Sequence, residues 1–484
     1  MMTDRADTDK IDEFRTAGHR LIDDMADYLA TVDDRPVSTP LAPSELAARF
    51  DDPLPRAGRP AGEVWRDAWD RVVPDAIHLA HPMYQGHQVA PPLPHAVLAD
   101  TLASLLNQST AVWEMSPTGT MVERQVLEWM RELLGFPAGA DGTLVSGGSV
   151  ANLTGLLAAR EAVFPGAWAD GVARREGLDR AAVFVADHAH YSVERALGVM
   201  GLGVDAMVKV PERRFRLDPD ALASAIADAR AAGRVPLAVV ATAGSTATGL
   251  FDDLEAVADV AAAGDVWLHV DAAHGGSLLA SRRLRARLRG IERADSVAWD
   301  PHKMMFMPIS ASVILVRDRR HLDAAFQQSA PYLFHPRPGE ARSHDIGQRT
   351  LQCSKRFDAL KLWVAFRHYG LDHLGALAER TVDNAAYLHG RLASADDFEP
   401  VHAPESNILC FRHLPAGLRD DPDRLDAHQK ALREAWNASG RGWITTTVLS
   451  GRRVLRVTLM NPRTEPRHLD ALLDGLRETS APPR

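Results

Sequence analysis

The sequence predicts an α/β protein built on a mostly parallel sheet. Between about residues 95 and 320, short apolar runs alternate with helical patterns, and these runs cover residues 182–186, 237–242, 266–271 and 312–316. Apolar strands that alternate with helices are typical of a parallel sheet covered on both faces. The composition agrees with this, because 46% hydrophobic and 25% charged residues are the proportions of a globular protein.

The 484 residues separate into three predicted segments. Residues 1–85 contain an amphipathic helix at 9–31 followed by a proline-rich stretch, and we expect them to form a helical segment that packs on a partner subunit. Residues 86–358 contain the sheet and form the large domain. Residues 359–484 mix helical patterns with a strand-like run at 454–459, which predicts a smaller C-terminal α+β domain.

Charge and cysteine content exclude several functions. The formal net charge of −9 argues against nucleic acid or an anionic membrane surface as a partner. No apolar run approaches the roughly 18 residues of a membrane span, and the charged first residues lack the apolar region of a signal peptide. Cys353 and Cys410 form neither a disulfide framework nor a metal motif. We therefore expect a cytoplasmic protein without a metal ion.

Lys303 is the candidate nucleophile among the few lysines of the chain. It follows a short apolar strand, and Asp271 ends the strand before it. A loop lysine is most often a surface charge, and an aspartate after a strand often caps a turn, but the carboxyl ends of parallel strands meet at one edge of a sheet. A Schiff-base lysine and a carboxylate for a pyridinium nitrogen are the two groups that a pyridoxal phosphate enzyme needs. Lys355 and Lys361 border a helix and are expected to extend along its surface to solvent.

Further polar residues follow the other predicted strands. Gly148 and Ser149 begin a helix, where backbone N–H groups and the helix dipole favour a phosphate, although Ser149 also suits an ordinary helix cap. His190 follows the run at 182–186, and its imidazole suits stacking on an aromatic cofactor or simple packing in a loop. Thr246 follows the next strand. The convergence of these residues at one sheet edge predicts a single site.

These motifs resemble those of the group II pyridoxal phosphate-dependent amino acid decarboxylases. The matching stretches are Ser146-Gly-Gly-Ser149, His190-Tyr-Ser192, Gly244-Ser-Thr246, His269-Val-Asp271-Ala-Ala273 and Asp300-Pro-His-Lys303. The similarity runs from about residue 70 to the C-terminus, and the family includes aromatic amino acid, glutamate, cysteine sulfinate and diaminobutyrate decarboxylases. It implies the PLP fold-type I, pyridoxal 5'-phosphate (PLP) as cofactor, carboxy-lyase activity, and a homodimer with active sites at the subunit interface.

The resemblance also implies residue roles. Lys303 would hold the cofactor as an internal aldimine, and Asp271 would pair with its pyridinium nitrogen. His190 would stack on one face of the ring with Ala273 on the other, and Thr246 would lie near the phenolic oxygen and the substrate. The amino acid would react at its α-carbon through an external aldimine and a quinonoid. The residues implied around the phosphate are Gly148, Ser149, Asp300 and His302.

Departures from the family pattern concern the substrate and the product. The segment at 332–353 resembles the catalytic loop, where the family usually has a tyrosine that protonates the substrate carbon, and His344 matches that position. His87 and Gln88 occupy the region where aromatic decarboxylases have aromatic side chains, which predicts a polar substrate. Arg456 matches the arginine that meets the substrate α-carboxylate in the glutamate decarboxylase branch, and a guanidinium suits bidentate binding of a carboxylate.

The sequence therefore leaves the reaction open. The first hypothesis is an amine-forming decarboxylase in which His344 is the acid, because an imidazole donates protons near neutral pH. The second is decarboxylation-dependent oxidative deamination to an aldehyde, or β-elimination on an S-substituted cysteine, in specialised biosynthesis. An aminotransferase is a weaker rival, since the lysine–aspartate pair is common to the fold type. The third is a catalytically silent scaffold, against which Lys303 and Asp271 argue.

Overall fold

The computed structural model describes residues 3–335 and 344–480, and the chain divides into two compact units. The smaller unit comprises residues 1–87, 390–401 and 410–484, and the larger comprises residues 88–389 and 402–409. The three segments predicted from the sequence, and the packing of the first on a partner subunit, stay predictions. Among the described residues, no helix combines the length and the hydropathy needed to cross a bilayer.

The regular elements of both units are numbered in chain order. The helices are α1 (Thr3–Thr31), α2 (Pro43–Arg49), α3 (Ala61–Val72), α4 (Pro94–Leu106), α5 (Pro117–Leu134), α6 (Gly148–Val163), α7 (Ala167–Asp170), α8 (Ser192–Val199), α9 (Pro219–Ala231), α10 (Leu254–Ala263), α11 (Arg319–Ala325), α12 (Ala359–Tyr369), α13 (Leu371–Ala393), α14 (Pro422–Ala438) and α15 (Pro466–Ser480). The strands are β1 (Asp141–Val145), β2 (Ala181–Ala186), β3 (Met207–Val210), β4 (Val235–Thr242), β5 (Trp267–Asp271), β6 (Ser296–Trp299), β7 (Ser312–Val316), β8 (Phe398–Pro400), β9 (Ile408–His413), β10 (Thr445–Leu449) and β11 (Arg452–Thr458).

The larger unit contains a seven-stranded sheet, which confirms the predicted α/β fold class. Its strand order is β1-β7-β6-β5-β4-β2-β3. Strands β2 to β6 run parallel to one another, whereas β7 is antiparallel to both β1 and β6. The chain therefore turns back after β6, and Lys303 lies in the connection between β6 and β7. This connection begins at the edge of the sheet where the parallel strands end.

The sheet is buried on both faces, as its apolar strands predict. Every residue of β2, β5, β6 and β7 is buried. Leu156 of α6, Val183 and Val185 of β2, and Ile314 of β7 belong to one apolar cluster. Burying a side chain of this size contributes about 1.5–3 kcal/mol relative to leaving it in water. This packing makes the sheet a rigid support for the loops at its carboxyl edge.

The smaller unit contains a four-stranded sheet in the order β10-β11-β9-β8. Trp436 of α14 packs closely on two glycines, because a Cβ at Gly442 or Gly475 would lie within 2.4 Å of its indole atoms. In the antiparallel pair β10–β11, Arg456 lies opposite Thr445. The pairing fixes the side of the sheet toward which the Arg456 side chain extends.

The prediction that Lys355 and Lys361 reach solvent is wrong. Lys355 is buried, and its Nζ pairs with the carboxylate of Glu123. Lys361 is also buried, and its Nζ lies 3.0 Å from carboxylate oxygens of Asp100 and Asp358. Buried charged groups are normally paired with a group of opposite charge, as these two lysines are. Tertiary structure therefore provides the partners that local helix patterning does not indicate.

Candidate active site

A cavity of about 200 Å³ lies in the larger unit, at the carboxyl ends of β2, β4, β5 and β6. Every residue that the sequence predicted to bind the cofactor belongs to its lining. The lining residues are Gly148, Ser149, Asn152, His190, Thr242, Gly244, Thr246, Asp271, Ala273, His274, Asp300, His302 and Lys303. These residues are far apart in the sequence but lie together in the fold, because neighbouring strands end at the same edge of the sheet.

The amine of Lys303 is held near the start of α6. Its Nζ lies 3.1 Å from Asp300 Oδ2, and only 17% of the side chain is exposed. Ser312 Oγ donates to Asp300 Oδ1 at 2.6 Å, which fixes the carboxylate. A Cβ at Gly148 would lie 2.7 Å from Asp300 Oδ2, so the absence of a side chain there permits this approach. The result is an amine beside the N-terminal end of a 16-residue helix.

Both oxygens of the Asp271 carboxylate are held by N–H donors. Asn152 Nδ2 donates to Asp271 Oδ2 at 2.9 Å, and the backbone N–H of Ala273 donates to Oδ1 at 3.1 Å. The side chain is buried at the end of β5. An ionised carboxylate accepts more than one hydrogen bond at each oxygen. Asp271 is therefore fixed in orientation and can still accept from a donor in the cavity.

His190 is connected to the same asparagine through Ser192. Asn152 Nδ2 donates to Ser192 Oγ at 2.8 Å, and Ser192 Oγ lies 2.8 Å from His190 Nδ1. The backbone N–H of Ser192 also points at this nitrogen, at 3.3 Å. Burial lowers the pKa of His190, with Asp271 acting to raise it and Lys303 to lower it. His190 is thus a neutral imidazole that accepts at Nδ1 and carries its proton on Nε2.

The orientation of the Asn152 amide is set by a second histidine. His269 Nε2 lies 3.0 Å from Asn152 Oδ1, and His269 Nδ1 lies 2.8 Å from Ser296 Oγ. Trp267 Nε1 donates to Ser296 Oγ at 2.9 Å, so the hydroxyl proton is free to point at His269. Burial lowers the pKa of His269, which keeps this ring neutral. The donors therefore run in one direction, from Trp267 through Asn152 to Asp271.

Sequence reasoning missed several residues of the lining. Asn152 lies three residues after Ser149 in α6, so the helical spacing of the predicted phosphate loop is a signal that could have found it. Thr242 is the last residue of β4, and Gly244 belonged to a matching stretch but had no predicted role of its own. His274 Nε2 lies 2.7 Å from Asn407 Oδ1, a contact between segments 133 residues apart that no local pattern indicates.

His344 does not belong to the lining of the cavity. Arg124 Nη1 donates to His344 Nδ1 at 2.6 Å, and the His344 ring lies 4.8 Å from the ring of Trp113. The next residue, Asp345, accepts the backbone N–H of Trp113 at 2.8 Å. Residues 336–343 of the predicted catalytic loop lie outside the described residues. The described end of that loop is therefore anchored on residues 113 and 124.

Arg456 and His87 belong to the smaller unit. The Arg456 side chain is buried, and its Nη1 donates to the carbonyl of Gly86 at 3.3 Å and to Thr445 Oγ1 at 3.2 Å. Burial lowers the pKa of Arg456. Partial burial and the guanidinium groups of Arg456 and Arg433 lower the pKa of His87. The surroundings of His87 are cationic, and Arg433 is a contributor that the sequence did not indicate.

Gln88 begins the larger unit. Its Nε2 is buried and has no hydrogen-bond partner among the described residues. A buried donor without a partner costs free energy, which a polar ligand would offset. Within the described residues, the side-chain amide of Gln88 therefore has a donor that a substrate could use.

Comparison with known proteins identifies the family. A family model described as the pyridoxal-dependent decarboxylase conserved domain matches residues 43–414. The chain belongs to the pyridoxal-dependent decarboxylases. An L-2,4-diaminobutyrate decarboxylase of Rhizobium meliloti (strain 1021) is 35% identical over 89% of this chain and 84% of its own length. An aromatic-L-amino-acid decarboxylase of Bacillus atrophaeus is 30% identical over 94% of this chain and 92% of its own length.

A solved structure agrees with this assignment. The crystal structure of Oryza sativa TDC with PLP and tryptamine matches with a TM-score of 0.89 at 29% identity, over 97% of this chain and 98% of that chain. PLP is accordingly the cofactor of this decarboxylase. The cavity fits it, because an amine, a fixed carboxylate and the N-terminal end of α6 all face the same space. Gly244 lines the same cavity with φ +88° and packs closely on the loop after β5. A Cβ at Gly244 would lie 3.1 Å from the backbone nitrogen of Gly275.

Proposed function

We propose that the chain removes the α-carboxylate of an amino acid with a polar side chain and returns a proton to its α-carbon. The observation that carries this proposal is the pair formed by the Lys303 amine and the Asp271 carboxylate, each fixed by neighbours, in one cavity at the carboxyl edge of the sheet. In this account Lys303 holds PLP, and Asp271 holds the pyridinium nitrogen. His190 and Ala273 lie against the ring.

The bound cofactor supplies an electron sink for the electron pair that carbon dioxide leaves behind. The protein orients that sink. Gly148, Ser149, Asp300 and His302 line the cavity and would surround the phosphate, and backbone N–H groups at the start of α6 would supply hydrogen bonds to it. Thr246 is exposed at the cavity, where its hydroxyl would meet the cofactor oxygen and the substrate. These roles extend the family resemblance to individual residues.

Arg456 is the proposed ligand of the substrate carboxylate. A buried guanidinium is stabilised by an anion that forms two parallel hydrogen bonds with it. His87 contributes polarity beside it, and Gln88 supplies a buried amide donor. The substrate classes that fit a polar pocket include glutamate, cysteine sulfinate and 2,4-diaminobutyrate. The named relatives are decarboxylases of 2,4-diaminobutyrate and of aromatic amino acids. The polar residues of this chain favour a substrate like that of the first relative.

His344 is the proposed proton donor to the α-carbon. Its Nδ1 accepts from Arg124, which keeps the ring proton of the neutral imidazole on Nε2. Trp113 limits the rotation of the ring. A proton on Nε2 would take the place of the proton that the family's tyrosine otherwise delivers.

A second outcome rests on the same histidine. If His344 does not protonate the α-carbon, dioxygen can oxidise it, and one amino acid, one O₂ and one water give an aldehyde, carbon dioxide, ammonia and hydrogen peroxide. A substrate with a β-thiolate leaving group that loses its α-proton in place of carbon dioxide would instead expel the thiolate and, with one water, yield pyruvate, ammonia and a thiol. The imidazole in place of the usual tyrosine is the observation that favours these two alternatives. Either reaction would belong to specialised metabolism.

Exposed apolar faces support a homodimer. In α4, Leu98, Leu102 and Leu105 recur at helical spacing and are 46%, 47% and 69% exposed. In α1, Phe14 is 68% exposed. Apolar faces of this kind are normally covered by another surface, and the occupant we propose is a second copy of the chain, with active sites at its interface. Leu102→Glu is expected to convert the dimer to a monomer in sedimentation equilibrium.

The proposed compartment is the cytoplasm, where exposed Cys353 stays reduced.

The product distinguishes the proposed reactions. Purified holoenzyme is incubated with glutamate, cysteine sulfinate, 2,4-diaminobutyrate, tryptophan and S-methylcysteine, with and without oxygen, and all products are quantified. The proposal predicts carbon dioxide and one equivalent of amine without oxygen uptake. Aldehyde with peroxide, or pyruvate with a thiol, would replace it with the corresponding alternative.

Variants at two histidines test the proton donor. His344→Tyr is expected to keep the amine product, and His344→Phe is expected to lower its yield at least about tenfold, because no ring proton remains. His335→Phe is the matched control, since His335 is an exposed histidine of the same segment. If His335→Phe changes the product and His344→Phe does not, the assignment of His344 is wrong.

A further inference from the structure

His188 is a buried histidine that the proposed reaction does not use. Its side chain is 5% exposed, and its Nδ1 lies 2.9 Å from Glu212 Oε1. Its Nε2 lies 3.3 Å from Asp252 Oδ1, an ion-pair distance. Glu212 Oε1 also accepts the backbone N–H of His188 at 2.6 Å. A ring with a carboxylate at each nitrogen is stabilised as the imidazolium, which has a proton at both positions.

The charges around His188 agree with an imidazolium. Burial lowers the pKa of His188, but Asp252 and Glu212 together raise it further, to about 9. Burial acts to raise the pKa of Glu212, yet His188 holds it below its ordinary value. Lys209 also acts on Glu212, and its Nζ lies 3.5 Å from Asp187. At neutral pH the cluster therefore contains one buried cation between two carboxylates.

The cluster joins the ends of three adjacent strands. His188 follows β2, Glu212 follows β3, and Asp252 lies in the segment after β4. These three strands are neighbours in the sheet. Asp252 Oδ2 accepts the backbone N–H of Thr242 at 2.7 Å, and Oδ1 accepts that of Leu217 at 2.8 Å. Thr242 is the last residue of β4.

Two contacts lead from this cluster to the cofactor cavity. His190, two residues after His188, lines the cavity, and so does Thr242. Thr242 lies directly opposite Asp271 in the register of β4 and β5. Movement of the His188 loop would therefore move the His190 ring, and movement of Asp252 would move the end of the strand beside Asp271.

We infer that His188 is a positioning residue whose imidazolium holds three strand-end loops together and thereby orients His190 and the end of β4 for PLP. This inference rests on the proposed contact of His190 with the cofactor ring. Its role is separate from general packing, because a neutral side chain of similar size would fill the space without holding both carboxylates. The surrounding strands are buried apolar segments that do not need this charge for their own pairing.

The test replaces the charge and measures cofactor binding. His188→Gln is expected to weaken PLP binding about tenfold, the loss that one charge-assisted hydrogen bond represents, and to reduce the visible circular dichroism of the bound cofactor. His188→Lys, which restores a cation, is expected to recover part of both signals. The matched control is His19→Gln, because His19 is an exposed histidine of α1.

A second variant protects the test against a folding failure. If far-UV circular dichroism shows that His188→Gln is unfolded, Glu212→Gln is measured alone and is expected to give the same two losses, since it leaves the imidazole without one partner. In the double variant the losses should not add, because both residues act through one contact. Additive losses, or a wild-type spectrum and affinity within twofold in His188→Gln, overturn the inference.

A reference variant separates this inference from the proposed function. His190→Ala removes the ring contact itself. If His190→Ala loses the cofactor signal and His188→Gln keeps it, the positioning role of His188 is wrong and the role of His190 stands. If His190→Ala also keeps the signal, the ring contact is wrong and the inference is overturned with it.

Discussion

Asn152 donates a hydrogen bond to Asp271, with 2.9 Å between Nδ2 and Oδ2. The same Nδ2 donates to Ser192 Oγ, which lies 2.8 Å from His190 Nδ1. One amide therefore orients the carboxylate proposed for the ring nitrogen and the imidazole proposed for the ring face. A shared donor of this kind fixes the relative positions of two groups that come from different strands.

Replacement of Asn152 should loosen both groups at once. Asn152→Leu is expected to weaken PLP binding about tenfold, because the amide can no longer hold Asp271 and Ser192. Asn152→Asp should be worse, since it sets a second carboxylate beside Asp271. Cofactor titration of the apoenzyme measures both effects.

A buried asparagine in the smaller unit provides the control. Asn437 donates to the carbonyl of Ile444 at 3.0 Å, so Asn437→Leu also leaves buried polar groups without partners. It should lower the midpoint of thermal unfolding without changing the affinity for PLP. Equal losses of affinity in Asn152→Leu and Asn437→Leu would mean that the effect is general destabilisation.

The buried pair of Lys355 and Glu123 predicts a large effect on stability. Lys355→Met leaves the Glu123 carboxylate buried without its cation, which should cost about 3–5 kcal/mol in the apparent free energy of unfolding. The double variant Lys355→Met with Glu123→Gln should recover most of this loss, because no unpaired charge remains. Urea unfolding measures both.

Lys430 supplies the matched lysine for this experiment. Its side chain is 63% exposed, and Lys430→Met should change the free energy of unfolding by no more than about 0.5 kcal/mol. A similar small change in Lys355→Met would show that the buried ion pair does not stabilise the fold.

His188 predicts a dependence of stability on pH. Its pKa of about 9 in the folded protein exceeds the ordinary 6.5, so the imidazolium stabilises the fold. This contribution is full below pH 6.5 and is lost as the pH rises through about 9. The shift corresponds to about 3 kcal/mol. The titrating ring is faced by the carboxylates of Glu212 and Asp252.

The comparison of wild type with His188→Gln measures that contribution. The difference between their free energies of unfolding should be largest near pH 6 and should fall to well under 1 kcal/mol above pH 9. A difference that is constant with pH, or one that grows as the pH rises, would mean that the buried histidine is neutral.

The sequence predicts the fold and the cofactor cavity for a clear physical reason. Apolar strands that alternate with helices specify a parallel sheet, and residues at the carboxyl ends of such strands converge. The meeting of Lys303, Asp271 and His190 in one cavity could therefore be predicted without coordinates. The antiparallel direction of β7 could not, because a buried apolar run is equally compatible with either direction.

Polar pairs between residues far apart in the chain could not be predicted from the sequence. Lys355 and Glu123 are 232 residues apart, and nothing in the sequence around Lys355 indicates a buried partner. Asp252 follows β4, and its contact with His188 depends on the order of strands in the sheet. Such pairs follow from tertiary topology, whereas hydrophobic periodicity reports only local structure.

The attachment of PLP to Lys303 is the central claim, and the chain has few lysines that could compete with it. Holoenzyme is treated with borohydride, which makes the bond between the cofactor and its lysine permanent, and its peptides are then analysed by mass spectrometry. The account predicts one pyridoxyl group, on Lys303, and none on Lys10, Lys209, Lys355, Lys361 or Lys430. A pyridoxyl group on any of those five lysines, or none on Lys303 in the cofactor-loaded protein, would contradict it.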